Sequence, residues 1–196
     1  MSVKVLDLAQ GSDEWLEARR KYITASDMAS ILGINGAFRS KKKVLEEKVH
    51  GAPPLTEFEV ALFARGHEVE KLLGPKMVEH FGMHLEPQVW VDEDLSIMAS
   101  LDLYNAAFGV VVELKNTTSL PKIELAEKGI PWGPYRIQVI TQMMLTNAKI
   151  GFLMMHNGNT GTIITVPIAR CEKTEALIRA KSKAFIKELR SYDDTL

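Results

Sequence analysis

Residues 100–115, SLDLYNAAFGVVVELK, constrain the chain more than any other stretch. The apolar run Val110, Val111, Val112 reads as a buried strand opened by the turn residue Gly109. Side chains alternate along a strand, so Glu113 and Lys115 leave the run on one face and Leu114 on the other. A fold that buries this strand must bring a carboxylate and an ammonium to one spot at its end. Asp102 lies eleven residues before Glu113, at the end of a second extended segment, residues 97–101. An antiparallel hairpin between the two sets Asp102 beside Glu113. Adjacent carboxylates suit a hard divalent cation, which takes oxygen ligands. Lys115 would there orient a water or stabilise negative charge near a scissile bond. The same spacing also fits an ordinary hairpin with a solvated Glu–Lys face, since these residues are common on strands.

With 196 residues, 46% of them hydrophobic and 25% charged, the chain fits a single domain over 1–196 with a sizeable core. The single cysteine, Cys171, excludes a disulfide within the chain, a cysteine-ligated zinc site and a four-cysteine cluster. A reducing, cytoplasmic setting is the expectation, and the opening MSVKVLDLAQ is too short and polar for a signal peptide. No apolar run approaches the length of a membrane helix. A formal net charge of −1 argues against an all-round basic coat. It leaves room for a local basic groove beside acidic metal ligands.

The rest of the chain reads in order. Ser12 caps a helix whose first turn carries Asp13 and Glu14 and which ends at Arg19 and Arg20. Residues 24–27 start a second helix carrying Met28, Ile31 and Leu32 and stopping at Gly33. Its N-terminus, with the Ser26 hydroxyl, offers donors for a phosphate, or Ser26 is only a cap. The basic run RSKKK, residues 39–43, reads as a solvated helix start or a DNA contact. Thr56 and Glu59 form a capping box for a long helix. Phe58, Leu62, Val69, Leu72 and Leu73 make its apolar stripe, Arg65 and Glu70 lie off it, and Gly74-Pro75 should end or kink it. Strands are expected over 85–91, 97–101, 110–115, 149–155 and 162–168, the last two joined by a turn at Asn157-Gly158-Asn159. Helices are expected over 120–128, over 135–146 and over 172–190, the last with Leu177, Ile178, Phe185 and Leu189 inward. Gln138 and Gln142 stand four apart on one helical face. The order gives an α/β (α+β) fold, a central mixed sheet flanked by helices. His67, His80, His84 and His156 fit no compact zinc spacing. Trp132, in a Pro-rich loop, is either a base-stacking ring or loop packing.

Two blocks now carry a resemblance. The first is Gly11-Ser12, Trp15, Leu16, Glu17, Ala18, Arg19, followed by Ile23-Thr24-Ala25-Ser26. The second is Gly66-His67-Glu68-Val69-Glu70, then Ser100-Leu101-Asp102, Glu113-Leu114-Lys115 and Gln138. Together, over roughly residues 11–146, they resemble the YqaJ-type viral recombinase family. These are phage alkaline exonucleases similar to the lambda exonuclease, within the PD-(D/E)xK nuclease superfamily with its restriction-endonuclease-like core.

The resemblance implies a metal-dependent 5′-to-3′ exonuclease on linear duplex DNA ends that leaves a 3′ tail for phage recombination. It implies Asp102, Glu113, Glu70 and the Leu114 carbonyl as ligands of Mg²⁺, two ions about 4 Å apart, with Mn²⁺ as a substitute. It implies Lys115 as the catalytic lysine beside those carboxylates. Arg19 and Ser26 match the pocket for the terminal 5′ phosphate, and Gln138 or Gln142 a DNA contact. Leu103 stands where the family often has Gly, Leu101 where it has Pro, and Ile140 where it has a second Gln. A homotrimeric ring, a single-strand annealing partner and a phage or prophage protein acting in the host cytoplasm are further implications. A restriction-type endonuclease, a RecB-like nuclease and a non-catalytic DNA-end-binding recombination protein are the alternatives.

Overall fold

The computed structural model describes residues 2–54 and 56–193. Among these run β1 (Val3–Leu6), α1 (Asp13–Lys21), β2 (Ile23–Thr24), α2 (Met28–Ile31), α3 (Lys41–His50), α4 (Glu57–Phe81), β3 (Glu86–Asp92), β4 (Ile97–Asn105), β5 (Val110–Thr117), α5 (Leu120–Glu127), α6 (Gly133–Thr146), β6 (Ile150–Asn157), β7 (Ile163–Ala169) and α7 (Glu172–Asp193). The sheet order is β1-β3-β4-β5-β6-β7, with β2 added on β4. β4 and β5 are antiparallel, as the hairpin reading requires, and turn at Gly109 in the left-handed region (φ +63°). β5 and β6 are parallel. A parallel pair needs a crossover, and α5 with α6 supplies it.

β5 is therefore central, and its residues from Val110 to Leu114 are all buried. Its alternation divides the core. Val111 packs with Val139, Ile140 and Met143 of α6 and with Ile178 and Phe185 of α7. Val110, Val112 and Leu114 pack on the opposite face with Leu73 of α4 and Leu103 of β4.

One irregularity positions the site. β3 lies along one edge of β4, so β2 and β5 share the other. Pairing with β2 stops at Met98 and pairing with β5 begins at Leu103. Over residues 99–102 the two inner strands fork apart.

Several expectations are corrected. Residues 24–27 do not begin a helix: Ile23 and Thr24 are drawn into the sheet by parallel pairing with Ile97 and Met98, and α2 begins only at Met28 with Asp27 as its N-cap. α4 does not end at Gly74-Pro75 but runs on to Phe81, with Pro75 inside the helix. Pro75 and Lys71 are both exposed, so water can take the carbonyl bond that proline cannot make. The α4 stripe is only partly used. Leu73 is buried and Val69 packs beside it, yet Phe58 is 77% exposed, with Leu62 and Leu72 also on the surface. The first turns of α4 leave their apolar side chains on the surface. On α7, Ile178 and Phe185 are buried with Ser182 between them, and Leu177 falls off that line into solvent.

Candidate active site

The fork opens on Asp102, Glu113 and Lys115. Glu113 is 1% exposed, and both of its oxygens accept hydrogen bonds. Lys115 Nζ and Gln138 Nε2 donate to Oε1, and Gln142 Nε2 donates to Oε2. Strand alternation puts Lys115 on this face, and the four-residue spacing on α6 puts both glutamines there. Gln138 and Gln142, one or the other of which was expected at DNA, are thus both seated on a carboxylate. Gln142 also reaches Ser100 O at 3.2 Å, bridging the gap between the strands. Its own Oε1 is buried without a hydrogen-bond partner among the described residues. Asp102 Oδ2 accepts the Leu114 N–H at 2.7 Å, so a side chain fills the ladder position that the fork leaves open.

The electrostatics follow from this crowding. Burial, then the neighbouring Glu113, push the Asp102 carboxyl well above the usual carboxylate range. Glu70 on α4 adds to the push, while Lys115 and the Leu114 N–H oppose it. Burial works against the Lys115 charge, but Glu113 and Asp102 outweigh it and hold the ammonium above its ordinary range. Glu70 is partly exposed and pairs with His67 Nδ1 at 3.2 Å, yet its charge is felt at Asp102. Glu68 is exposed.

Carboxylates outnumber ammonium groups here, and oxygen donors predominate. That donor set fits a hard divalent cation, which would relieve the repulsion now loaded on Asp102. The fit rests on Asp102 and Glu113, with the charge of Glu70 acting on Asp102. Among the described residues, no three His, Cys, Asp or Glu side chains converge tightly enough to form a ready-made metal cage. The histidines are used elsewhere: His84 lies against Glu86 and His156 against Asn116.

The N-terminal blocks build a second feature, a cleft lined by Arg19, Thr24, Asp27, Arg39, Lys48 and Gly51 among others. Arg19 stacks on Trp15, 4.5 Å from the ring centroid, and forms no ion pair or hydrogen bond with the described residues. Trp15 Nε1 in turn donates to Ser100 Oγ at 2.8 Å, tying this wall to the fork. Ser26 is not at a helix N-terminus; its hydroxyl lies 2.9 Å from Thr24 Oγ1.

Asp27, buried beneath the cleft, binds Arg39 at 2.6 Å and Lys48 at 3.2 Å. Burial raises the Asp27 carboxyl, but Lys48 and then Arg39 outweigh it and leave it below the usual range. Burial pulls Lys48 below the usual ammonium range; Asp27 opposes this, and repulsion from Arg19 and Arg39 adds to it. Lys48 also donates to Arg19 O and Tyr22 O, at 2.6 and 2.7 Å, closing the C-terminus of α1. The basic run is a solvated helix start, with Lys41, Lys42 and Lys43 exposed on the first turn of α3, and its charges are paired. Arg39 is held by Asp27 and Glu47, Lys41 by Glu188, and Lys42 lies near Glu46. Sequence reasoning missed Asp27 and Lys48. Asp27 was read only as part of a helix start, and Lys48 sits in a charge-rich helix with nothing to mark it.

Comparison with known proteins places this arrangement. The model of the YqaJ-like viral recombinase domain matches residues 14–149, most of the chain, and the chain belongs to that family. No curated protein matches it in sequence. In fold it is similar to an alkaline exonuclease from Laribacter hongkongensis, LHK-Exo, with a TM-score of 0.78 at 20% identity, covering 94% of this chain and 95% of that one. LHK-Exo in complex with dAMP gives a TM-score of 0.74 at the same identity and coverage. A phage related exonuclease from Haemophilus somnus 129PT gives 0.67 at 14% identity, covering 89% of this chain and 96% of that one.

Proposed function

We propose that this chain is a metal-dependent exonuclease that digests linear duplex DNA from the 5′ end, releases mononucleotides and leaves a 3′ single-stranded tail for phage recombination. The observation that carries the reading is the half-buried Asp102 beside the buried Glu113, with Lys115 on Glu113 at the fork of the sheet, in a YqaJ-like domain. Mg²⁺, or Mn²⁺ in its place, held by Asp102, Glu113, Glu70 and the Leu114 carbonyl would supply a water of lowered pKa and neutralise the leaving oxygen. The chain's own residues do the rest. Lys115 stays protonated and donates toward the attacking oxygen or the charge building on the phosphate. Gln138 and Gln142 fix the rotamer of Glu113. The Arg19 guanidinium forks onto the terminal phosphate, with the Ser26 hydroxyl as an added donor. Seating that phosphate sets the distance from the end to the cut.

A homotrimeric ring acting in the host cytoplasm, handing its tail to a single-strand annealing protein, completes the proposal. The exposed apolar residues on α4, Phe58, Leu62 and Leu72, support self-association. No helix among the described residues is long and apolar enough to cross a membrane.

The test is digestion of end-labelled linear duplex, with and without a 5′ phosphate, in Mg²⁺ or EDTA. Mononucleotides should appear only with Mg²⁺ and preferentially from phosphorylated ends, and a closed circle should survive. Lys115→Ala should slow release by about 10²–10³-fold. Cutting of the circle would replace the exonuclease with an endonuclease. Inertness under every metal would remove the catalytic roles of Asp102, Glu113 and Lys115.

A further inference from the structure

Beside the fork lies an aromatic cluster that the chemistry above does not use. Lys122 Nζ sits 5.1 Å from the Phe38 ring centroid, 5.2 Å from that of Tyr135 and 5.7 Å from that of Trp132. It reaches the Tyr135 hydroxyl at 3.3 Å and pairs with no carboxylate among the described residues. The Tyr135 ring also lies under Lys115 Nζ, at 5.7 Å, so the cluster begins one side chain from the fork. Its other end is Phe38, whose ring meets Tyr135 at 5.8 Å and 35° while 61% of the residue stays exposed. A phenylalanine so exposed, beside an unpaired lysine, has no role in the core.

The ring is also held in place. Gly36, at φ +80°, approaches Trp132 so closely that an added Cβ would stand 2.4 Å from the indole. Trp132, partly buried against the core, is therefore the floor of the loop. Arg39, the next residue after Phe38, is fixed to Asp27 and Glu47 under the Arg19 cleft. Phe38 thus stands on a loop anchored at one end against α6 and at the other against that cleft.

We propose that Phe38 is a stacking platform for a base of the DNA strand entering the fork, with Lys122 beside it as a contact for that strand's phosphate. This rests on the nuclease reading for the identity of the strand. An exposed ring accepts the face of any base, and an adjacent ammonium meets the backbone that follows it. The Lys122 charge is compatible with the site because aromatic faces, not carboxylates, surround it. The platform would make the enzyme favour ends whose last base can leave the duplex stack.

The experiment measures binding of a short fluorescent single strand with Ca²⁺ in place of Mg²⁺, across a salt series, alongside the digestion assay. Phe38→Ala should weaken binding roughly tenfold without changing the salt slope, and Phe38→Tyr should restore it. Lys122→Gln should lower the slope of log affinity against log salt by about 0.7, the value of one single-strand phosphate contact. Thermal melting of each variant verifies that it is folded. Unchanged affinity in folded Phe38→Ala, with the wild type binding and digesting, would overturn the platform and leave the nuclease standing. Phe38-dependent binding by a wild type that digests nothing would uphold the platform and sink the nuclease. Loss of self-association in Phe38→Ala with strand affinity intact would assign the ring to a protein contact and overturn the proposal.

Discussion

Glu113 is buried with three donors on two oxygens, and the identity of those donors decides what substitutions there should do. Gln142→Leu removes the donor to Glu113 Oε2 and the bridge to Ser100. It should reduce divalent-cation affinity, read by calorimetry, and cleavage together by about 10–100-fold, the usual effect of losing a partner of a ligand. Asp27 offers a test by pH. Asp27→Asn leaves Lys48 and Arg39 without their shared counter-charge, and removing one member of a buried pair costs about 3–5 kcal/mol. The Asp27 carboxyl is lowered in the fold, so its contribution is fully present above the unfolded carboxylate value, ~3.9, and is lost as pH falls through the folded one. Urea unfolding should show the wild type ahead at pH 7 and pH 5 and the gap closing in stronger acid. Asp102, Glu113 and Lys115 were legible in the sequence because strand period alone fixes their faces. Asp27 and Lys48 were not, because their partnership spans separate helices and no local pattern encodes it.

At the scale of elements, the contact between β6 and α6 governs how firmly the glutamines are held. A Cβ at Gly151 would stand 2.4 Å from Val139 Cγ1 and 2.8 Å from Met143 Sδ. Gly151→Ala should therefore cost about 1–3 kcal/mol as overpacking. It should also slow cleavage, because α6 carries Gln138 and Gln142; melting temperature and rate measured on one preparation check both. The strong periodic elements around this contact were readable: β5, β6, β7 and α6 fall within a residue or two of expectation. The failures share one cause. Residues 23–27 have helix-start chemistry, but two backbone bonds, Ile23 N to Ser96 O and Ala25 N to Met98 O, hold them against β4. The α4 stripe obeys its period, but periodicity cannot say how much sheet lies opposite. Tertiary contact overrode local preference in the first case and was missing in the second.

For the whole molecule, the exposed start of α4 should matter most to association. A Phe58→Asp, Leu62→Asp variant should sediment at the 21.9 kDa of one chain, against three times that mass for the wild type, with its melting temperature little changed because neither side chain is buried. A wild type that sediments as a single chain would remove the ring. The order in which the sheet is strung has a further consequence. β1 pairs with β3, β2 with β4, and β5 with β6 only after two helices have crossed over. Contacts so distant along the chain form late. On the ribosome, the Arg19 wall has nothing to close against until β4 has emerged, and Glu113 lacks its glutamine donors until α6 follows. A half-made chain would hold the carboxylates without the frame that aims them. On the proposed nuclease reading, the growing chain should therefore leave DNA uncut until α6 has emerged and its glutamines reach Glu113.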